Sequence, residues 1–243
     1  MVENEMMKPR LKKYILPDET KFIWQERSSK LAFVASVWTC SASVVITRPV
    51  LADPCISITY VRGGGFRRVI LRGPETKPRD ELVVPGFTRT TIRLHPGVLL
   101  RGFPAQKFIN RSLMLPADVA GRFWLEGALL QFPDFDNAER LIDQLYNLGY
   151  LRHGISSSMN VQAVKGLSTR SYYRLIKRTS GLSPYQLHQL QRIHQALKLL
   201  KEGMPATKVA AELDFVDQSH LTHAAKQFLG YTPNQLLSIP QTS

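Results

Sequence analysis

Cysteine is scarce in this chain, with two in 243 residues, Cys40 and Cys55, and no Cys-x-x-Cys spacing. That argues against a disulfide framework and a cysteine-built zinc site. Histidine is almost missing from the first part, where His95 is the one example before residue 153. A metal-binding β-barrel, which gathers histidines and carboxylates, has no ligand set there. No apolar run reaches the length that spans a bilayer, and the charged opening segment lacks the apolar stretch of a signal peptide. A cytoplasmic protein with no membrane partner is expected. No nucleophile elbow or Ser-His-Asp arrangement stands out, so neither a catalytic centre nor a cofactor is expected. Acidic residues are also short, 19 against 32 Lys+Arg, giving a net charge of +13 and pointing to a polyanionic partner.

The charge distribution says more than its sum. Between Asp143 and Glu202 no acidic residue occurs, while Arg152, Lys165, Arg170, Arg174, Lys177, Arg178, Arg192, Lys198 and Lys201 are basic. Yet residues 1–133 carry 20 basic against 11 acidic residues, and 134–243 carry 12 against 8. Net charge by itself would misplace the site.

Residues 1–133 are expected to form a β-rich sensor or partner domain ending in a helical segment. Short runs rich in valine, isoleucine and aromatics, such as Leu31 to Thr39, Cys55 to Val61, Phe66 to Leu71 and Thr88 to Leu94, alternate with Gly-Pro punctuation. After Pro116 the run Asp118 to Leu130 reads as helical, and Ala138 to Leu148 reads as an amphipathic helix opening the next domain. Gly63-Gly64-Gly65, beside Arg62, Arg67 and Arg68, suits a hairpin turn better than a phosphate cradle, because no helix N-terminus or Lys-Ser/Thr follows it. Trp24, Trp38 and Phe87 are candidates to line an effector pocket, against the commoner role of aromatics among strands as core.

Residues 134–243 are expected to be all-α with two helix-turn-helix units. The first reads Val161, Val164, Gly166, Leu167 and Ser168, then a helix from Thr169 to Thr179; the second reads Val209, Ala210, Leu213 and Phe215, then a helix from Asp217 to Phe228. Between them Leu187, Leu190, Ile193, Leu197 and Leu200 recur at intervals of three and four, the mark of a buried connecting helix. Ser183 caps its start, Pro184 takes the first helical position and Gly203 stops it. In the first candidate recognition helix Arg170, Tyr173, Arg174 and Lys177 share one face. In the second, Gln218, Ser219, Thr222, His223 and Lys226 form the exposed side, with His220 near the leading turn. His220 and His223 have a spacing that would also suit a metal, but no third ligand accompanies them.

The ordered set Gly181-Leu182-Ser183-Pro184, Arg192-Ile193, Ala196, Leu199-Leu200, Val209-Ala210, Phe215, Asp217, Ser219-His220, Lys226, Phe228, Gly230 and Thr232-Pro233 resembles the DNA-binding domain of the AraC/XylS family of bacterial transcription regulators. Asp214, Leu221, Ala225, His223 and Gln162 depart from that family's usual residues, Asp214 standing where glycine is usual. The resemblance implies an α+β multidomain regulator in which Arg170, Tyr173 and Arg174 face base edges while Thr169 and Lys177 are placed for phosphates. It also implies double-stranded DNA as partner, activation through RNA polymerase, and a small-molecule or protein effector at the β-rich domain. A single chain can bind through its two units, so no oligomeric state is implied. Two rivals remain open: a nonspecific or architectural nucleic-acid binder, and a ligand-binding or enzymatic protein whose helical part is an interaction module.

Overall fold

The computed structural model describes residues 21–153 and 168–237. Twelve strands precede most of the helices. They are β1 (Phe22–Arg27), β2 (Val34–Ala42), β3 (Ile46–Val50), β4 (Ser57–Gly63), β5 (Phe66–Arg72), β6 (Arg79–Val83) and β7 (Thr88–Leu94), then β8 (Val98–Leu100), β9 (Ser112–Pro116), β10 (Arg122–Leu125), β11 (Ala128–Gln131) and β12 (Leu151–His153). Six make one antiparallel sheet in the order β1-β2-β7-β4-β5-β9. Its register is fixed by alternation: Ile58 lies opposite both Leu71 and Ile92, and Tyr60 opposite Val69 and Thr90, so one face carries the buried aliphatics. A slip of one residue would turn all of them to the other side. Each large side chain buried there contributes about 1.5–3 kcal/mol of transfer free energy.

The opposite face carries Trp24, Trp38, Arg89 and Arg93, and the separate two-stranded sheet β3–β6 lies over part of it. Arg48 of β3 sits over the stacked rings of Trp24 and Trp38, 4.9 and 5.1 Å from their centroids, and pairs with Glu81 of β6 at 2.8 Å. Glu81 also meets Arg89 and Arg79. Despite its burial, the three guanidiniums hold the Glu81 carboxyl down at about 2. Phe87, grouped with the two tryptophans on sequence, instead packs against Phe66, at 6.0 Å between ring centroids. Gly64 and Gly65 form the two-residue turn of the β4–β5 hairpin.

Two sequence expectations fail here. The run Asp118 to Leu130 is not helical but a β10–β11 hairpin, with Phe123, Leu125 and Leu130 turned inward and Trp124 opposite Leu129 outward. The amphipathic helix α1 (Glu139–Asn147) does form, but it packs away from the domain it was expected to open. Leu141, Ile142 and Leu145 are buried in the sheet's own core, Arg27 of β1 holds Glu139 at 2.7 Å, and β12 pairs back onto β8.

The remaining helices, α2 (Thr169–Ser180), α3 (Pro184–Lys201), α4 (Ala206–Glu212), α5 (Gln218–Leu229) and α6 (Pro233–Leu237), enclose a second core. Val161, Val164, Gly166 and Leu167, read as the start of the first helix-turn-helix unit, lie outside the described residues. The helical core is not made by helices alone. Ala52, on the connection from β3 to β4, is fully buried within it, with Leu51 beside it. His194 of α3 lies 2.6 Å by its Nε2 from the Ala52 carbonyl oxygen. Because a carbonyl only accepts, Nε2–H is the donor. Burial lowers the His194 pKa against the opposing pull of Asp53, and Asp53 is itself tied to Arg93 at 2.8 Å. Among the described residues no helix is long and apolar enough to cross a membrane.

Candidate nucleic-acid interface

Helix α2 is defined at both ends by local chemistry. The Ser168 hydroxyl accepts the Ser171 N–H at 3.2 Å, and Gly181 closes the helix in the left-handed conformation at φ 77°. Ile176, Thr179 and Ser180 are buried, whereas Thr169, Arg170, Tyr173, Arg174 and Lys177 are exposed. At 100° per residue, Arg170, Tyr173, Arg174 and Lys177 fall within about a third of the circumference. The structure therefore brings together the four side chains grouped on sequence.

Helix α3 starts where sequence places it. Ser183 accepts the Gln186 N–H, the Gln186 side chain accepts the Ser183 N–H in return, and Pro184 holds the first position. Its apolar stripe, Leu187, Leu190, Ile193, Leu197 and Leu200, lies in the helical core between the two units. Arg192, on the same helix, places its guanidinium 3.7 Å from the Phe215 ring centroid. Its Nε and Nη2 atoms are buried and make no hydrogen bond, so the ring face is the group that meets its charge. Sequence reasoning noted both residues without pairing them, since they lie 23 positions apart.

The second unit is α4, a turn and α5. Asp214 ends α4 at φ 57°, which is the conformation that favours glycine, the usual residue here in the resembling family. Asp217 caps α5, its carboxylate accepting the His220 N–H at 2.7 Å. Gln218, Ser219, His223 and Lys226 are exposed and Thr222 is partly so. His220 is more committed than sequence suggests. Its Nδ1 accepts the Val216 N–H at 3.2 Å and its ring meets Phe215 edge-on at 5.4 Å, so the ring fastens the turn. Leu221 and Ala225 are buried, filling places where larger side chains are usual in that family. Among the described residues no group of three or more His, Cys, Asp or Glu side chains is placed to hold a metal.

The β-rich unit touches both candidate recognition helices at their C-terminal caps. A Cβ on Gly181 would stand 3.0 Å from the Ala105 carbonyl oxygen and 3.2 Å from Ile109, and a Cβ on Gly230, the left-handed cap of α5, would stand 2.7 Å from Pro78. Glycine is thus needed at these two caps for approach as well as for conformation. In addition, Gln106 lines a groove with Ser171, Arg174, Leu175, Lys177 and Arg178 of α2.

Comparison with known proteins gives two positive findings. A helix-turn-helix domain family matches residues 163–238. Solved structures of ToxT from Vibrio cholerae are similar over most of the chain. One at 1.65 Å covers 89% of this chain and 98% of its own at 10% identity and a TM-score of 0.40. A second, bound to (E)-4-(8-methylnaphthalen-1-yl)but-3-enoic acid, covers 89% and 98% at 12% identity and 0.39. A third, bound to an unsaturated fatty acid, covers 90% and 95% at 12% identity and 0.39. No curated protein matches. The match over residues 163–238, together with the capped helices α2 and α5 on either side of α3, makes this part of the chain a helix-turn-helix domain, preceded by a β-rich unit.

Proposed function

We propose that this protein is a sequence-specific regulator of transcription that reads two adjacent major-groove segments of duplex DNA with α2 and α5. The observation that carries the proposal is the pair of capped twelve-residue helices, each with an exposed polar face, held on one connecting helix. An α-helix fits the major groove, where each base pair presents a distinct pattern of donors and acceptors. Arg174 is the leading base reader, because a guanidinium bridges guanine O6 and N7; Arg170 and Tyr173 lie beside it, and Thr169 and Lys177 are placed for phosphates. On α5, Gln218 pairs with adenine, Ser219, Thr222 and His223 supply short polar contacts, and Lys226 reaches the backbone. His220 acts chiefly by holding the turn. Charge on this helix is sparse, so the second unit reads more permissively than the first.

The β-rich unit serves as the sensor or partner module, with a small-molecule or protein effector. Activation, the direction favoured by the family resemblance, requires contact with RNA polymerase. The short side chains of α5 also favour a second reading, an architectural binder with little sequence preference. Selection of bound sequences from random duplexes at near-physiological salt separates the two. An enriched site with two short blocks about one helical turn apart, lost or degraded with Arg174→Ala, is the expected outcome. Binding without enrichment establishes the architectural reading.

A further inference from the structure

We propose that the DNA interface extends into the β-rich unit, where Lys107 and Arg111 contact phosphates along one lip of the major groove occupied by α2. The inference rests on the proposed reading of α2 as a recognition helix. It goes beyond that reading by adding a second surface, in the part of the chain otherwise assigned to sensing.

The circumference of α2 divides into three parts. Ile176 turns into the helical core and Thr179 and Ser180 are buried beside it, whereas Arg170, Tyr173, Arg174 and Lys177 turn to solvent. Ser171, Leu175 and Arg178 lie on the flank, centred roughly 120° from the reading face at 100° per residue. The β-rich unit meets α2 on that flank. Gln106 lines a groove with the three flank residues and with Arg174 and Lys177, and Ile109 abuts the Gly181 cap. A helix about 10–12 Å across fills a major groove about 12 Å wide, so whatever is attached to its flank stands at the sugar-phosphate wall.

The chain beside these two contacts carries basic, exposed residues. Lys107 follows Gln106, and Arg111 lies two positions beyond Ile109; neither forms an ion pair with a carboxylate among the described residues. The segment carrying them is firmly set. Phe108 stacks on Phe103 at 3.8 Å between centroids, the Arg111 N–H bonds the Phe108 carbonyl, and the Asn110 carboxamide oxygen accepts the Thr76 N–H at 2.8 Å. A set backbone leaves only the two side chains to be ordered on meeting a phosphate, and such contacts add affinity without sequence information.

The test uses the full chain on its selected duplex and on a scrambled one, across a range of salt. Lys107→Gln with Arg111→Gln is expected to reduce the slope of log affinity against log salt by about 2, and to weaken both duplexes equally, about ten- to thirtyfold near physiological salt. Arg174→Ala is expected to weaken the selected duplex far more than the scrambled one. Lys107→Arg with Arg111→Lys is expected to retain the slope, and unchanged thermal unfolding of the glutamine variant excludes a folding defect. An unchanged slope in the glutamine variant, with the Arg174→Ala effect intact, overturns the inference and leaves the recognition reading standing. Tighter binding by the glutamine variant also overturns it, because the segment would then obstruct the groove. If Arg174→Ala weakens both duplexes alike, the recognition reading fails and the inference falls with it.

Discussion

At the scale of single residues, two side chains carry strain or unusual burial for the sake of the second unit. Asp214 holds φ 57° at the end of α4, a conformation that costs a residue with a Cβ about 1 kcal/mol relative to glycine. Asp214→Gly is therefore expected to raise unfolding stability by up to about 1 kcal/mol, measured by denaturant titration; a loss would show that the aspartate makes a compensating contact. The departure from family usage was visible in sequence, but its meaning needed the backbone angle. Arg192 stacks its guanidinium on Phe215 with two buried nitrogens unbonded. Arg192→Ala is expected to cost about 1–2 kcal/mol through the lost cation–π contact and packing, and to weaken DNA reading by α5 before that by α2. Footprinting that shows both half-sites fading together would count against this link.

At the scale of elements, legibility followed the strength of the local signal. The helices α2, α3 and α5 begin at Ser168, Ser183 and Asp217, each a side chain that accepts from the first turn, and such caps announce themselves in sequence. The four-residue face of α2 needed only helical spacing. The β10–β11 hairpin did not announce itself, because in a stretch rich in apolar residues Phe123, Leu125 and Leu130 suit either period. The turn glycines Gly121 and Gly127, at φ 76° and 84°, were the signals that should have broken the helix. Helix α1 was legible as a helix and misplaced as to partner. Its apolar stripe of Leu141, Ile142 and Leu145 states that a face is buried, and nothing in the stripe states which core receives it. The proximity of Gln106 to α2 had no sequence signal at all, since it depends on how two separate cores meet.

At the scale of the whole molecule, acid is expected to act on the β-rich unit. The Glu81 carboxyl, held at about 2 by Arg48, Arg89 and Arg79 against an ordinary value of 4.5, binds its proton more readily when unfolded. Its contribution is present above pH 4.5 and is lost as pH falls toward 2, an effect of about 3 kcal/mol. Glu81→Gln is expected to flatten stability over that window and to lower it at neutral pH, read by thermal unfolding at stepped pH; an unaltered pH profile would show that Glu81 is not the group responsible. A second consequence concerns distance along DNA. Because the β-rich unit rests against the caps of α2 and α5 at Gly181 and Gly230, the two helices keep one mutual orientation, and under the proposed function the protein is expected to gauge its target by angle as well as by sequence. One base pair inserted between the two blocks turns the second by about 35° around the duplex axis, and five carry it to the opposite side. Affinity is expected to collapse with five inserted pairs and to recover little with ten, whose full turn restores the facing side but opens a gap that a rigidly mounted pair of helices has no slack to cross.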